Sequence, residues 1–291
     1  MNKNKLMLYA LLVMLLWGTL FPMVKLGYTV YNIVTTGDIL FFAGVRFSVC
    51  GAIICLYSFI TDREAFKAVI PSLTPILLSG FFAIILHYGF TYTALKLTDS
   101  SKTAILKQVG VLLYVCFSFM FFKEDKPTVK KLIGVLMGFV GIVAINTSSD
   151  GISFNIGDIL IIAASFCTVF SNIISKKVFR TVKPIISTGI SQLFGGVILL
   201  IAGSLLGGGM SLAFNQSALI MVYICFASVF SYSIWYTVVK NGELSKLLII
   251  KFAESVFACV FGAIILNENI FKVQYVFAFL LIATGIYISN K

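Results

Sequence analysis

Three ionisable residues, Lys107, Lys251 and Glu254, lie deep inside apolar stretches of about 20 residues. A charge at bilayer depth costs at least about 2.5–3.5 kcal/mol on insertion scales, so it normally faces a cavity or a partner. Two lysines at corresponding depths can bind one anionic ligand between them. Glu254 lies one helical turn from Lys251, where it can bind an amine of that ligand or neutralise the lysine. These residues favour a binding site for a small charged molecule. The alternative is that each lysine pairs with a neighbouring helix as a structural contact.

Further candidates for this site are aromatic or polar residues inside the apolar stretches. They are Tyr88, Tyr92, Tyr232, Tyr236, Arg46, Trp17 and Gln192. The four tyrosines form two pairs with a spacing of four residues, so each pair lies on one stripe of a helix. Tyrosines in membrane proteins more often pack or lie at the lipid interface, so both interpretations stay open. Arg46 can equally pair with backbone carbonyl groups, and the single histidine, His87, is predicted to be a packing residue.

The sequence lacks the residue groupings that enzymes and metal proteins need. It contains no cluster with metal-ligand spacing, no GxxxxGK[ST] phosphate loop and no nucleophile–base pair. The six cysteines all lie in apolar runs and form no CxxC motif, which is typical of small buried hydrophobic residues. We therefore predict that the protein has no cofactor, no metal and no enzymatic activity.

The composition indicates the elements that must position these residues. The chain has 291 residues, of which 59% are hydrophobic and 11% are charged, and its mean hydropathy is +1.04. A soluble domain contains about 25% charged residues, so a cytosolic globular protein and a disordered chain are excluded. The net charge of +11 comes from residues in short gaps between apolar runs, which does not form the basic patch of a nucleic-acid-binding protein. The sequence predicts an integral membrane protein surrounded by lipid.

Ten apolar runs are long enough to span a bilayer as helices. The predicted spans are 6–26, 36–60, 73–95, 100–122, 129–147, 157–175, 185–206, 217–239, 245–266 and 271–289. Of the 22 Lys and Arg residues, 15 lie at the termini and in the loops on the same side, and four lie on the other side. This bias predicts that both termini are cytoplasmic. Three basic residues, Arg46, Lys107 and Lys251, remain inside the spans.

An internal repeat divides the chain into two halves, 1–147 and 148–291. Residues 88–146 align without a gap with 232–290, and 15 of the 59 pairs are identical. The informative matches join Tyr88 to Tyr232, Tyr92 to Tyr236, Lys96 to Lys240, Lys107 to Lys251 and Glu124 to Glu268. Each half has five predicted spans, an odd number, so the second half must be inverted relative to the first. Inverted repeats with a site near the bilayer midplane are the architecture of secondary transporters.

Several short motifs occur in one order along the whole chain. They are Trp17-Gly18 with Pro22 and Lys25, then Arg46-Phe47, Ala94-Leu95-Lys96, Glu124, Ala253-Glu254-Ser255 and Glu268. In this order the sequence resembles the EamA-like branch of the drug/metabolite transporter superfamily. It departs from that pattern in lacking proline at Val111 and Ser255, and in having Lys123 and Asn267 before the two glutamates. The resemblance implies ten helices in two inverted five-helix halves, a central cavity and alternating access for small metabolites.

We therefore expect an all-α secondary transporter of a bacterial inner membrane, with a small carboxylate-bearing metabolite as its substrate. An amino acid or similar zwitterion is the leading form, with the lysines on the anionic end and Glu254 near the amine. The alternatives are an organic-anion or phosphate-ester exchanger and a membrane receptor or assembly protein that does not transport. Coupling to a proton or to a counter-substrate stays open, as does the oligomeric state.

Overall fold

The structure is a computed structural model of the chain, and it is helical almost throughout. It describes residues 3–117, 120, 128–145, 147–148, 151–152, 154–210, 218–241, 250–251 and 253–289. The helices in these ranges are α1 (Lys3–Val30), α2 (Thr36–Thr61), α3 (Leu73–Gly80), α4 (His87–Leu97), α5 (Ser100–Lys107), α6 (Val109–Phe117), α7 (Val129–Ile145), α8 (Ile156–Val178), α9 (Pro184–Leu205), α10 (Ala218–Asn241), α11 (Ala253–Leu266) and α12 (Val273–Ser289). Lys123 and Glu124, which belong to the sequence motifs, lie outside the described residues.

Six helical segments of the described chain are long and apolar enough to cross a membrane. They are Lys5–Val30, Thr36–Thr61, Ile70–Leu97, Ile156–Val178, Pro184–Leu205 and Ala218–Trp235. Three shorter apolar helices run over Leu132–Ala144, Ala253–Leu266 and Val273–Gly285. The predicted class of a helical membrane protein is thereby confirmed.

Two details differ from a purely α-helical expectation. Two-residue strands, β1 (Thr147–Ser148) and β2 (Gly151–Ile152), pair antiparallel between α7 and α8. The segment Phe81–Leu86 between α3 and α4 is π-helical, a rare geometry that often occurs beside functional sites. Neither feature changes the helical class.

Side-chain caps set the beginnings of α2 and α8. Thr35 accepts a hydrogen bond from the backbone of Asp38, whose carboxylate accepts one from the backbone of Thr35 in return. Asn155 and Asp158 form the same reciprocal arrangement at the start of α8. Such capping boxes satisfy amide groups that have no partner within the helix.

Glycines allow α2 and α9 to pack with their backbones close together. An added Cβ at Gly51 would lie 2.2 Å from the backbone nitrogen of Leu193, and one at Gly196 would lie 2.3 Å from that of Ser48. Small residues permit this approach in membranes, where helix association depends on close packing. The contact fixes two of the helices that line the central cavity.

A third close approach joins α1 to α11. An added Cβ at Gly18 would lie 2.8 Å from the carbonyl oxygen of Glu254. The lack of a side chain at Gly18 therefore brings the neighbouring Trp17 to the beginning of α11. This packing explains in physical terms why a glycine follows the tryptophan in the first motif.

Candidate functional site

A cavity of about 250 Å³ lies among the helices. Nine of the ten residues predicted from the sequence line it: Trp17, Arg46, Tyr88, Tyr92, Lys107, Gln192, Tyr232, Lys251 and Glu254. The tenth, Tyr236, lies on α10, and its side chain is outside the described part of the structure. The structure thus brings together residues that are distant in sequence, while their contact with a substrate stays a prediction.

Lys107 and Glu254 form an ion pair across the cavity wall. The ammonium of Lys107 lies 3.3 Å from Oε1 of Glu254, and it lies 5.0 Å from the ring centre of Phe21. Glu254 is 2% exposed and belongs to the first turn of α11. A carboxylate in that position also interacts favourably with the helix dipole. The glutamate therefore neutralises the lysine of the other half.

Lys251 has a different environment. Its ammonium lies 5.9 Å from the ring centre of Trp17, within the range of a cation–π interaction. Among the residues that the structure describes, no carboxylate lies within ion-pair distance of it. The neighbour expected from helical spacing, Glu254, is paired with Lys107 instead. The two lysines that the sequence repeat aligns thus have different partners at the cavity.

Both lysines lie next to the described end of a helix. Helix α5 ends at Lys107 and α6 begins at Val109, while Lys251 is in a turn two residues before α11 begins. The side chain of Gln108 donates a hydrogen bond of 2.9 Å to Ser255. The break after Lys107 fits a pattern seen in many transporters, in which interrupted helices mark the binding site because free backbone groups meet there.

Arg46 is buried and bonded to hydroxyl groups instead of the carbonyl groups considered from the sequence. It donates to Ser228 Oγ at 2.8 and 3.1 Å and also to the hydroxyl of Tyr92. The guanidinium lies 4.7 Å from the ring centre of Phe47. The described residues place no carboxylate against it, so its charge adds to that of the cavity.

Aromatic residues form one wall of the cavity. The hydroxyls of Tyr88 and Tyr232, at equivalent positions of the sequence repeat, are 3.0 Å apart. The ring of Trp17 lies 5.6 Å from that of Tyr232 and 5.2 Å from that of Trp235. Sequence reasoning missed Trp235 and Ser228. Their signal was available, because both lie one helical turn from Tyr232 on α10.

A cluster of charged groups connects α1, α5 and α12 with the segment between α11 and α12. Glu268 accepts hydrogen bonds from the backbone amides of Ser100 and Ser101 at 2.7 and 3.0 Å, and from the Ser101 hydroxyl at 2.6 Å. Lys25 lies 3.5 Å from the same carboxylate. Glu268 therefore caps the beginning of α5 and connects it to the chain after α11 and to α1.

Asp99, between α4 and α5, continues this cluster. Tyr275 donates a hydrogen bond of 2.8 Å to its carboxylate, and the ammonium of Lys272 lies 3.4 Å away. Burial acts to raise the pKa of Asp99, but the hydrogen bond from Tyr275 and the charges of Lys272 and Lys25 outweigh it. The pKa is therefore held below its ordinary value, and the ionised form stabilises this contact.

Comparison with known proteins identifies the family. Residues 4–147 and 155–291 each match the EamA-like transporter family. The uncharacterized inner membrane transporter YedA of Escherichia coli strain K12 is 22% identical over 286 residues, which cover 94% of this chain and 89% of YedA. The uncharacterized transporter YvbV of Bacillus subtilis strain 168 is 24% identical, over 99% of this chain and 92% of YvbV.

One crystal structure of a protein with 18% sequence identity matches with a TM-score of 0.67, over 99% of this chain and 96% of that one. At this identity the match shows a shared fold. The family matches, which together cover nearly the whole chain, carry the assignment further. The chain is an integral membrane protein that belongs to the EamA-like transporter family within the drug/metabolite transporter superfamily.

Proposed function

We propose that this protein is a secondary active transporter that carries a small carboxylate-bearing metabolite across the inner membrane by alternating access. The observation that carries the proposal is the environment of Lys251. It is a cation in the wall of a cavity between helices, with an aromatic ring beside it and no carboxylate partner among the described residues. An uncompensated charge at such depth is costly, so a ligand of opposite charge stabilises it.

The proposal includes ten membrane helices in two inverted halves, 1–147 and 148–291, with both termini in the cytoplasm. Six long and three shorter apolar helices support it, together with the segment that contains α5 and α6. The family matches twice, once in each half. The hydrogen bond between the repeat-related Tyr88 and Tyr232 is also in line with a cavity between the halves.

The charges of the cavity favour an anion. Arg46, Lys107 and Lys251 line it, against Glu254 as the one described acidic residue in its wall. If all four side chains are ionised, two positive charges are uncompensated. A carboxylate beside Lys251 reduces this excess, and Lys107 can turn to the ligand if its contact with Glu254 is exchanged.

In the zwitterion form of the proposal, the substrate carboxylate binds Lys251 and its amine binds Glu254. The amine must then compete with Lys107, whose ammonium lies 3.3 Å from the same carboxylate. Such an exchange would couple substrate binding to a rearrangement between α5 and α11. Glu254 would serve as the site of proton coupling if the substrate does not occupy it.

A second candidate is the exchange of organic anions or phosphate esters. The excess of two positive charges favours it, because a ligand without an amine leaves the Lys107–Glu254 pair intact. In that form Glu254 only moderates the field of the lysines. The counter-substrate would be another anion that binds the same cavity.

Uptake into proteoliposomes tests the proposal. The panel contains radiolabelled lactate, malate, alanine, aspartate and glucose 6-phosphate, with protein-free liposomes as the control. We expect saturable uptake of at least one carboxylate, and faster uptake from vesicles preloaded with that compound if the protein exchanges substrates. Binding of these compounds without transport would favour a receptor, and the absence of both would overturn the proposal.

A further inference from the structure

In the part of the chain that the structure describes, one nitrogen of the His87 ring has no hydrogen-bond partner, although the residue is 5% exposed. Nδ1 lies 2.9 Å from the carbonyl oxygen of Ala164 and 2.9 Å from the hydroxyl of Thr168. A carbonyl oxygen only accepts, so Nδ1 carries the proton and Nε2 of the neutral ring is an acceptor. None of the hydrogen bonds among the described residues uses Nε2, and the ring lines the cavity.

Two further groups in the same cavity wall are unsatisfied. Gln192 on α9 is 0% exposed, and neither the oxygen nor the nitrogen of its amide has a hydrogen-bond partner among the described residues. The hydroxyl of Thr91, one turn after His87 on α4, is likewise buried without an acceptor for its proton. Buried polar groups are nearly always bonded, so unpaired groups that line one cavity indicate a partner that binds there.

We infer that His87, Thr91 and Gln192 form an uncharged subsite that binds a hydroxyl group of the transported anion. The inference rests on the proposed function and specifies the substrate class, a hydroxyl-bearing carboxylate. A hydroxyl has one donor and two acceptor positions. It donates to Nε2 of His87 and accepts from the amide nitrogen of Gln192 or from Thr91, so it supplies both a donor and an acceptor to this part of the cavity wall.

An ammonium group fits this subsite less well for two reasons. It only donates, so the amide nitrogen of Gln192 would stay without an acceptor. Lys107 and Lys251 also line the same cavity as His87, and their charges repel a further cation. The subsite therefore distinguishes carboxylates that share a carbon skeleton and differ only in whether one carbon atom carries a hydrogen, a hydroxyl or an ammonium group.

Ligand titration of the purified protein tests this discrimination. The chain has two tryptophans, Trp17 and Trp235, and both line the cavity, so their fluorescence reports ligand binding there. The probes form two series, each on one carbon skeleton. Succinate, malate and aspartate carry hydrogen, hydroxyl and ammonium at the same carbon atom, and so do propionate, lactate and alanine. We expect the hydroxy acid of at least one series to bind about tenfold tighter than its deoxy partner, because its hydroxyl gains hydrogen bonds to the subsite that the deoxy acid cannot make.

Gln192→Leu separates recognition from structure. Because the amide has no partner among the residues that the structure describes, its removal should leave folded yield and melting temperature unchanged or slightly higher. The hydroxy acid should lose its about tenfold advantage, while the deoxy acid should bind as before. His87→Phe should act in the same direction, and Gln274→Leu on α12, outside the cavity, is the matched control.

The outcomes distinguish this inference from the proposed function. Equal affinity for malate and succinate, and for lactate and propionate, overturns the hydroxyl subsite and leaves the carboxylate transporter standing. A hydroxyl preference that survives Gln192→Leu and His87→Phe also overturns it. If none of the six compounds binds and none is taken up, the proposed function itself fails.

Discussion

Lys107 and Lys251 are equivalent residues of the repeat, but their surroundings differ. Lys107, at the end of α5, is paired with Glu254 at 3.3 Å. Lys251, just before α11, lies 5.9 Å from the ring centre of Trp17 and has no carboxylate partner among the described residues. One half therefore contributes a lysine in an ion pair, and the other half a lysine without an ion-pair contact among the described residues.

The difference originates in one position of the alignment. Shifted by the 144 residues of the repeat, Glu254 corresponds to Gly110. An added Cβ at Gly110 would lie 3.3 Å from Cβ of Ser165 on α8, so a larger residue there would press against that helix. The repeat thus provides two lysines but one carboxylate. The two lysines that the sequence repeat aligns therefore differ in their surroundings at the cavity.

The largest expected effect concerns the paired lysine. Lys107→Ala leaves the buried Glu254 without its partner, and breaking a buried ion pair costs about 3–5 kcal/mol. We expect a marked fall in the melting temperature of the detergent-purified protein. The double variant Lys107→Ala/Glu254→Gln should recover most of this loss. If the melting temperature does not recover, the loss in Lys107→Ala does not come from an unpaired Glu254.

A smaller effect, on ligand affinity, is expected when the carboxylate of Glu254 is neutralised. Glu254→Gln preserves the shape, frees Lys107 and should tighten the binding of succinate and malate several-fold. In the zwitterion form, the same change removes the contact of Glu254 with the substrate amine. Aspartate binding should then weaken by about tenfold to a hundredfold, because a charge-assisted hydrogen bond contributes about 1.5–3 kcal/mol. Parallel titrations with succinate and aspartate measure this difference. If both ligands shift equally and in one direction, Glu254 does not recognise the amine.

The smallest effect concerns the hydrogen bond between the repeat-related tyrosines. Tyr88→Phe removes the contact of 3.0 Å to Tyr232 and should cost about 0.5–1.5 kcal/mol of stability. Because both residues share this bond, Tyr88→Phe and Tyr232→Phe should be less than additive in a double variant. Thermal unfolding of the wild type, the two single variants and the double variant provides the double-mutant cycle. Strict additivity would mean that the two hydroxyls do not stabilise each other.

The helical membrane class was predictable from hydropathy alone, because apolar runs of about 20 residues have few other uses. The interruption after Lys107 was not predictable, since no proline marks it and Gln108 is a residue found within ordinary helices. The reason becomes visible only in the packed molecule, where Gln108 donates to Ser255 on α11. Local sequence cannot show a partner on a distant helix.

The candidate site shows the same limit. Depth and repetition predicted Lys107, Lys251 and Glu254, and the structure places all three at one cavity. Helical spacing pointed to Lys251 as the nearest partner of Glu254, whereas packing brings Lys107 to it. His87 was expected to pack. Its Nδ1 does bond to Ala164, but its other nitrogen remains unpaired among the described residues.

Uptake by proteoliposomes containing Lys251→Ala tests the central claim most directly. Measured with the carboxylate that the wild-type protein takes up fastest, saturable uptake should be lost, while folded yield and melting temperature stay near wild type. Lys130→Ala, at an exposed position of α7, is the matched control and should transport normally. A large loss of folded protein with normal specific activity in the remainder would contradict the account, because Lys251 would then be a structural contact.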